Sequence, residues 1–144
     1  MEVYIQGVID QCTNIGGWSF VLDYLDGETC QMGCSYETCT ASYMTLVAAN
    51  KALTYLNDNE MKNQTVFTDS KFVFQGITKM VSMWMESDWN TSQGKTIKYQ
   101  ELWQELYDLT QKLNITWSQS TGNEVAMKKA ILLSTECSQK SEDI

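Results

Sequence analysis

The residues best placed to do chemistry sit in one stretch, Val66-Phe67-Thr68-Asp69-Ser70-Lys71-Phe72-Val73-Phe74-Gln75-Gly76-Ile77. A short apolar, β-branched run reads as a buried strand, and Asp followed by Ser is a helix start signal. An acid where a strand ends and a helix begins points into the crevice where α/β folds hold their ligands. There it can bind a hard cation through oxygen, or it can cap the helix over residues 71–72. Two other acids could join it: Asp10, in the loop after the first strand, and Glu124, at the start of the last helix. Together they would make a rebuilt carboxylate site. Otherwise they are solvated acids of a loop and of a helix start.

Other chemistry is restricted. The chain has no histidine, which removes the commonest general base and the commonest zinc ligand together. Cys12, Cys30, Cys34, Cys39 and Cys137 are odd in number, and those between 30 and 39 lack the second pair that a zinc site needs. They read as packing thiols. With no apolar leader before Val3, an intracellular, reducing location is expected, in cytoplasm or nucleus. No apolar run reaches the roughly 18 residues that suggest a membrane span. Three Asn-x-Ser/Thr triplets, at Asn63, Asn90 and Asn114, read as chance in an Asn- and Thr-rich chain. A net charge of −8 and a pI near 4.4 oppose non-specific affinity for nucleic acid, which comes mainly from Lys and Arg on phosphates.

At 144 residues, one domain with its own core is expected over 1–137, with 138–144 as a C-terminal tail. Strands are expected at 3–8, 18–22 and 29–36, the last two joined by a hairpin at Asp26-Gly27. Leu46, Ala49, Leu53 and Leu56 share one face of a helix, which ends at Asn57-Asp58-Asn59. A fourth strand spans 64–69. Two short helices, 70–75 and 78–86, break at Gly76, and a polar loop runs over 87–96. A long helix carries Leu102, Leu106, Leu109 and Leu113; a fifth strand, 114–119, and a helix over 124–137 close the domain. Three antiparallel strands followed by strands joined through helices predict an α/β fold: a five-stranded mixed sheet with helices on both faces.

Element order and wording together resemble the type 1 ribonuclease H family. The carriers are Thr68-Asp69-Ser70 with Gln75-Gly76-Ile77, Gly16-Gly17, Met44-Thr45-Leu46-Val47-Ala48-Ala49, Trp84, Trp89, Leu102-Trp103 and Ile115-Thr116-Trp117. The resemblance implies that fold and a site in which clustered carboxylates hold two magnesium ions. By the same resemblance the family's acids correspond to Gln6, Thr45, Asp69 and Met127, so Asp69 alone keeps its carboxylate. The His-bearing loop is shortened to Ser120-Thr121-Gly122. An amide, a hydroxyl and a thioether do not replace anionic oxygens, so no catalytic residue, no metal and no cofactor are expected, beyond a residual magnesium at Asp69.

The substrate side departs as well. The handle reads Trp84-Met85-Glu86-Ser87-Asp88-Trp89, acidic where the family is basic, with Lys95 and Lys98 nearby. Thr40 persists, but Ala41-Ser42-Tyr43 stands where the family has Asn-Asn-Arg. Lys128, Lys129 and Lys140 read as solvated charge. Met80, Met83 and Met85 beside the two tryptophans suit protein recognition as well as a core. The expectation is therefore a catalytically inactive pseudo-nuclease acting as a binding or scaffold module through a protein partner, in a nucleic-acid-processing or viral and retroelement setting. Thr40, Trp84, Trp89, Lys95 and Lys98 are its expected partner-binding residues. Two alternatives stand beside it: a hybrid or nucleic-acid binder that does not cut, and a metal-dependent nuclease with relocated acids.

Overall fold

The computed structural model describes residues 2–10, 12, 15–24, 27–35, 40–91, 93–122 and 124–139. Three strands come first: β1 (Glu2–Ile9), β2 (Gly16–Tyr24) and β3 (Gly27–Ser35). They pair antiparallel, and β2 meets β3 down to Tyr24↔Gly27. That is the register of a tight hairpin; residues 25 and 26 between them lie outside the described residues. Then follow α1 (Ala41–Asp58), β4 (Thr65–Thr68), α2 (Lys71–Gln75), a π-helical turn (Gly76–Met80), α3 (Val81–Glu86), α4 (Gln100–Leu113), β5 (Thr116–Gln119) and α5 (Val125–Gln139). β1–β4 and β4–β5 pair in parallel, giving one mixed sheet in the order β3-β2-β1-β4-β5. This is the expected architecture.

The alternation of β1 sorts the two faces. Val3 and Ile5 point one way into the main core, with Phe20 and Leu22 of β2, Leu46, Leu53 and Leu56 of α1, and Trp103 and Leu106 of α4. Tyr4 points the other way, with Val21 of β2, into a smaller core formed by Ala126, Met127 and Ala130 of α5. Buried Ala48, Ala49 and Ala52 let α1 lie close to the sheet. α5 is fixed by a buried polar set: Ser19 Oγ donates to Ala130 O at 2.5 Å and lies 2.7 Å from Ser134 Oγ, which donates to Gln6 O at 3.3 Å. Each buried hydroxyl is thus partnered, as it must be to avoid a desolvation penalty.

Two local features differ from expectation. The helix does not break at Gly76: α2, the π turn and α3 run on, and glycine is needed there because the Trp103 ring stands where a Cβ would be, with Cη2 2.2 Å from that position. Cys34 is disulfide-bonded, while Cys12 and Cys30 are free. This corrects the reading of Cys34 as a packing thiol. No helix among the described residues is long and apolar enough to cross a membrane.

At Gly7 the backbones of β1 and α1 meet closely. A Cβ there would stand 2.2 Å from Thr45 N and 2.4 Å from Met44 C, both backbone atoms of α1. Gly7→Ala should therefore push α1 off the sheet and lower the unfolding free energy by about 3 kcal/mol, read by urea denaturation. A loss under about 1 kcal/mol would show that α1 can retreat freely.

Candidate functional site at the ends of β1 and β4

The register builds the site. β1 and β4 pair as Glu2↔Thr65, Val3↔Val66 and Tyr4↔Phe67. The Tyr4 and Phe67 rings stack at 5.0 Å on the α5 face. Two residues further on, the same alternation brings Gln6 and Asp69 side by side. Gln6 Nε2 donates to Asp69 Oδ2 at 3.1 Å, and Gln6 Oε1 accepts the N–H of Gly7 at 2.9 Å. Met127 Sδ lies 4.0 Å from the same Nε2. Gln6 is 7% exposed, Met127 is fully buried, and Asp69 is exposed. Thr45 is 3% exposed and its hydroxyl donates to Ala41 O at 2.9 Å, within its own helix. Gln6, Thr45, Asp69 and Met127 therefore do come together where β1 runs past the end of β4.

The helix cap goes to a neighbour. Ser70 Oγ accepts the Val73 N–H at 3.2 Å, and Thr68 Oγ1 accepts the Ser70 N–H at 3.1 Å, so Ser70, not Asp69, starts α2. This leaves the Asp69 carboxylate facing Gln6. It also lines a small cavity of about 120 Å³ with Thr68, Ser70, Lys71, Gln119 and Ser120. Lys71 was not singled out from the sequence, although it stands two residues after Asp69 and brings an exposed cation to the same crevice.

The two further acids are each held by hydrogen bonds of their own. Ser120 Oγ donates to Glu124 Oε2 at 2.7 Å. That bond, followed by backbone N–H groups, holds the Glu124 carboxyl below its ordinary range. Asp10 Oδ1 accepts the Cys12 N–H at 2.8 Å in the turn after β1. Among the described residues no group of three or more Cys, Asp or Glu could hold a metal ion. Around Gln6 the donors are one carboxylate, one amide and a thioether, with the Thr45 hydroxyl turned to Ala41 O. Magnesium asks for about six oxygens in near-octahedral order, so two ions do not fit this set.

Away from the crevice, Thr40 caps α1, its Oγ1 accepting the Tyr43 N–H at 3.1 Å. Lys95 is exposed, and Lys98 Nζ lies 5.0 Å over the Tyr99 ring. Lys128 is exposed, Lys129 pairs with Glu28, and Lys140 lies outside the described residues. Trp89 is not the exposed contact expected of it. It is 8% exposed, in the main core, with its ring 6.1 Å from Trp84, which in turn lies 5.5 Å from Trp103. The Trp89 carbonyl accepts from Ile97 at 2.9 Å, and the Asn90↔Thr96 bridge closes the loop over the ring. Trp84 is half-buried; Met80, Met83 and Met85 are exposed.

Two outcomes follow from this packing. Trp89→Ala should destabilise the fold by about 3 kcal/mol or more, seen as a marked drop in melting temperature. Glu124 has a lowered pKa in the folded chain, so its contribution is full at neutral pH and is lost as pH falls through the folded value. Stability measured from about pH 5 down to pH 3 should therefore fall less steeply in Glu124→Gln than in the parent chain.

Comparison with known proteins gives a consistent picture. The RNase H family model matches residues 1–126. Ribonuclease H of Francisella tularensis subsp. novicida (strain U112) is 36% identical over 129 residues, covering 85% of this chain and 83% of its own. Ribonuclease H of Francisella philomiragia subsp. philomiragia is 35% identical over 120 residues, covering 83% and 77%. Among solved structures, the foamy viral protease-reverse transcriptase in complex with dsDNA superimposes with a TM-score of 0.79 at 17% identity, covering 99% of this chain and 94% of that one. LC11-RNase H1 in complex with RNA/DNA hybrid does so with a TM-score of 0.71 at 13% identity, covering 98% of both chains. At such identities the structures show the fold alone.

The relatives overturn the expectation of an inactive binding or scaffold module that is not an enzyme. They carry the name of an enzyme, at more than a third identity over most of the chain, and no observation of this structure shows activity to be lost. With the family match running from the first residue through Asp69 to Ala126, the chain belongs to the ribonuclease H family.

Proposed function

We propose that this chain acts on RNA/DNA hybrid, taking the RNA strand at the crevice where β1 and β4 end. The observation that carries this reading is the paired amide and carboxylate of Gln6 and Asp69, 3.1 Å apart, beside the exposed Lys71. A ribose 2′-hydroxyl is both donor and acceptor, and it is what distinguishes RNA from DNA at a protein surface. It can donate to a carboxylate oxygen while accepting from an amide, and Lys71 can meet the adjoining phosphate. LC11-RNase H1 and a second foamy viral protease-reverse transcriptase structure, both in complex with RNA/DNA hybrid, support the choice of ligand through a shared fold.

The surface sets the strength of this contact. With a net charge of −8, binding depends on the few cations near the crevice and the handle, Lys71, Lys95 and Lys98. Affinity should therefore be modest and steeply weakened by salt. Because the crevice donors do not suit a magnesium pair, hybrid should bind without added divalent metal.

Fluorescence anisotropy with a labelled hybrid, and with duplex DNA of the same sequence, tests this at about 50 mM salt. Hybrid should bind more tightly than duplex DNA, and Asp69→Asn should erase the difference. Lys71→Ala should lower the salt slope by about 1. Gels of the same mixtures, with and without magnesium, read cleavage of the RNA strand. Equal affinity for the two duplexes, or no binding at this salt, would defeat the proposal.

A further inference from the structure

We infer that the Gln6 amide takes, at Asp69, the place that a cation takes in a carboxylate site, so that the crevice is complete with no divalent metal bound. The amide has one workable orientation. Gly7 N–H holds Oε1 at 2.9 Å, which leaves Nε2 aimed at Asp69 Oδ2 at 3.1 Å. Turning the amide over would set Oε1 against a carboxylate and Nε2 against an N–H donor. Gln6 is buried within β1, just past its last pairing with β4, so the direction is set by the backbone and not by solvent.

The other neighbours agree. The Met127 thioether, fully buried 4.0 Å from Nε2, is a soft ligand that magnesium and manganese do not favour. The Thr45 hydroxyl is committed to Ala41 O. A second carboxylate at position 6 would stand beside Asp69, and a nearby like charge disfavours ionisation of both. The neutral amide supplies a donor without that repulsion. This inference concerns the chain without nucleic acid, so it stands or falls separately from hybrid binding.

The test uses the metal alone. Manganese and magnesium are titrated into the purified chain by calorimetry, and melting temperatures are compared in EDTA and in excess metal. The parent chain should show no saturable uptake and no shift. In the side-chain amide region of an NMR spectrum, Asp69→Asn should move the Gln6 N–H₂ pair. Gln6→Asp, or Gln6→Glu should the shorter acid fail to fold, should melt lower in EDTA and regain several degrees with manganese. Manganese uptake by the parent chain that vanishes in Asp69→Asn overturns the inference. A folded acidic variant at position 6 that stays indifferent to manganese also overturns it.

Discussion

Everything in this molecule is referred to the contact between the backbone of β1 at Gly7 and the backbone of α1 at Met44 and Thr45. No side chain fits between them. That approach sets the height of α1 above the sheet, and with it the depth of the main core. The alanines of α1 make it possible, and the buried leucines on the same helix gain from it. On the opposite face, α5 is held at a fixed register by Ser19 and Ser134, whose hydroxyls bridge β2, the Ala130 carbonyl and the Gln6 carbonyl. A single residue pair, Gln6-Gly7, thus anchors helices on both faces of the sheet.

The crevice inherits its geometry from that anchor. Parallel pairing fixes Gln6 beside Asp69, the seat of α5 brings Met127 beneath them, and the seat of α1 brings Thr45 alongside. The scaffold would hold these positions whatever side chains occupied them, which is why a fold and a donor set can vary separately. Here the burial of a thioether and an amide around one exposed carboxylate favours stability over charge density. Three carboxylates in the same volume would repel one another and carry a desolvation penalty.

Much of this was legible in the residues. Alternation and turn signals delimit the strands, and Asp69-Ser70 marks the strand-to-helix junction. What failed to show depended on partners distant in the chain. Trp89, the lone aromatic of a polar loop, reads as exposed; the bridge from Asn90 to Thr96 folds that loop back, and the ring lies against Trp84. Gly76 reads as a helix breaker, because its requirement is set by Trp103 on another helix. Asp69 and Ser70 compete for one capping role, and local sequence does not decide between adjacent good caps. The lost carboxylates do not by themselves establish lost function, because they concern four positions while the likeness to an enzyme family runs over residues 1–126.

The π turn at Gly76–Met80 bears on how this chain can change length. Such a turn carries one residue more than an α-helix needs over the same rise, and here it lies between α2 and α3 without interrupting them. Buried Val73, Ile77 and Val81 recur every fourth position, and the wider turn keeps all three on the core side where a regular helix would drift away. Removing one solvent-facing residue from the turn would convert it to ordinary helix and leave both flanking segments in place. Among the described helices, this turn offers a place where a single-residue deletion is accommodated by winding alone.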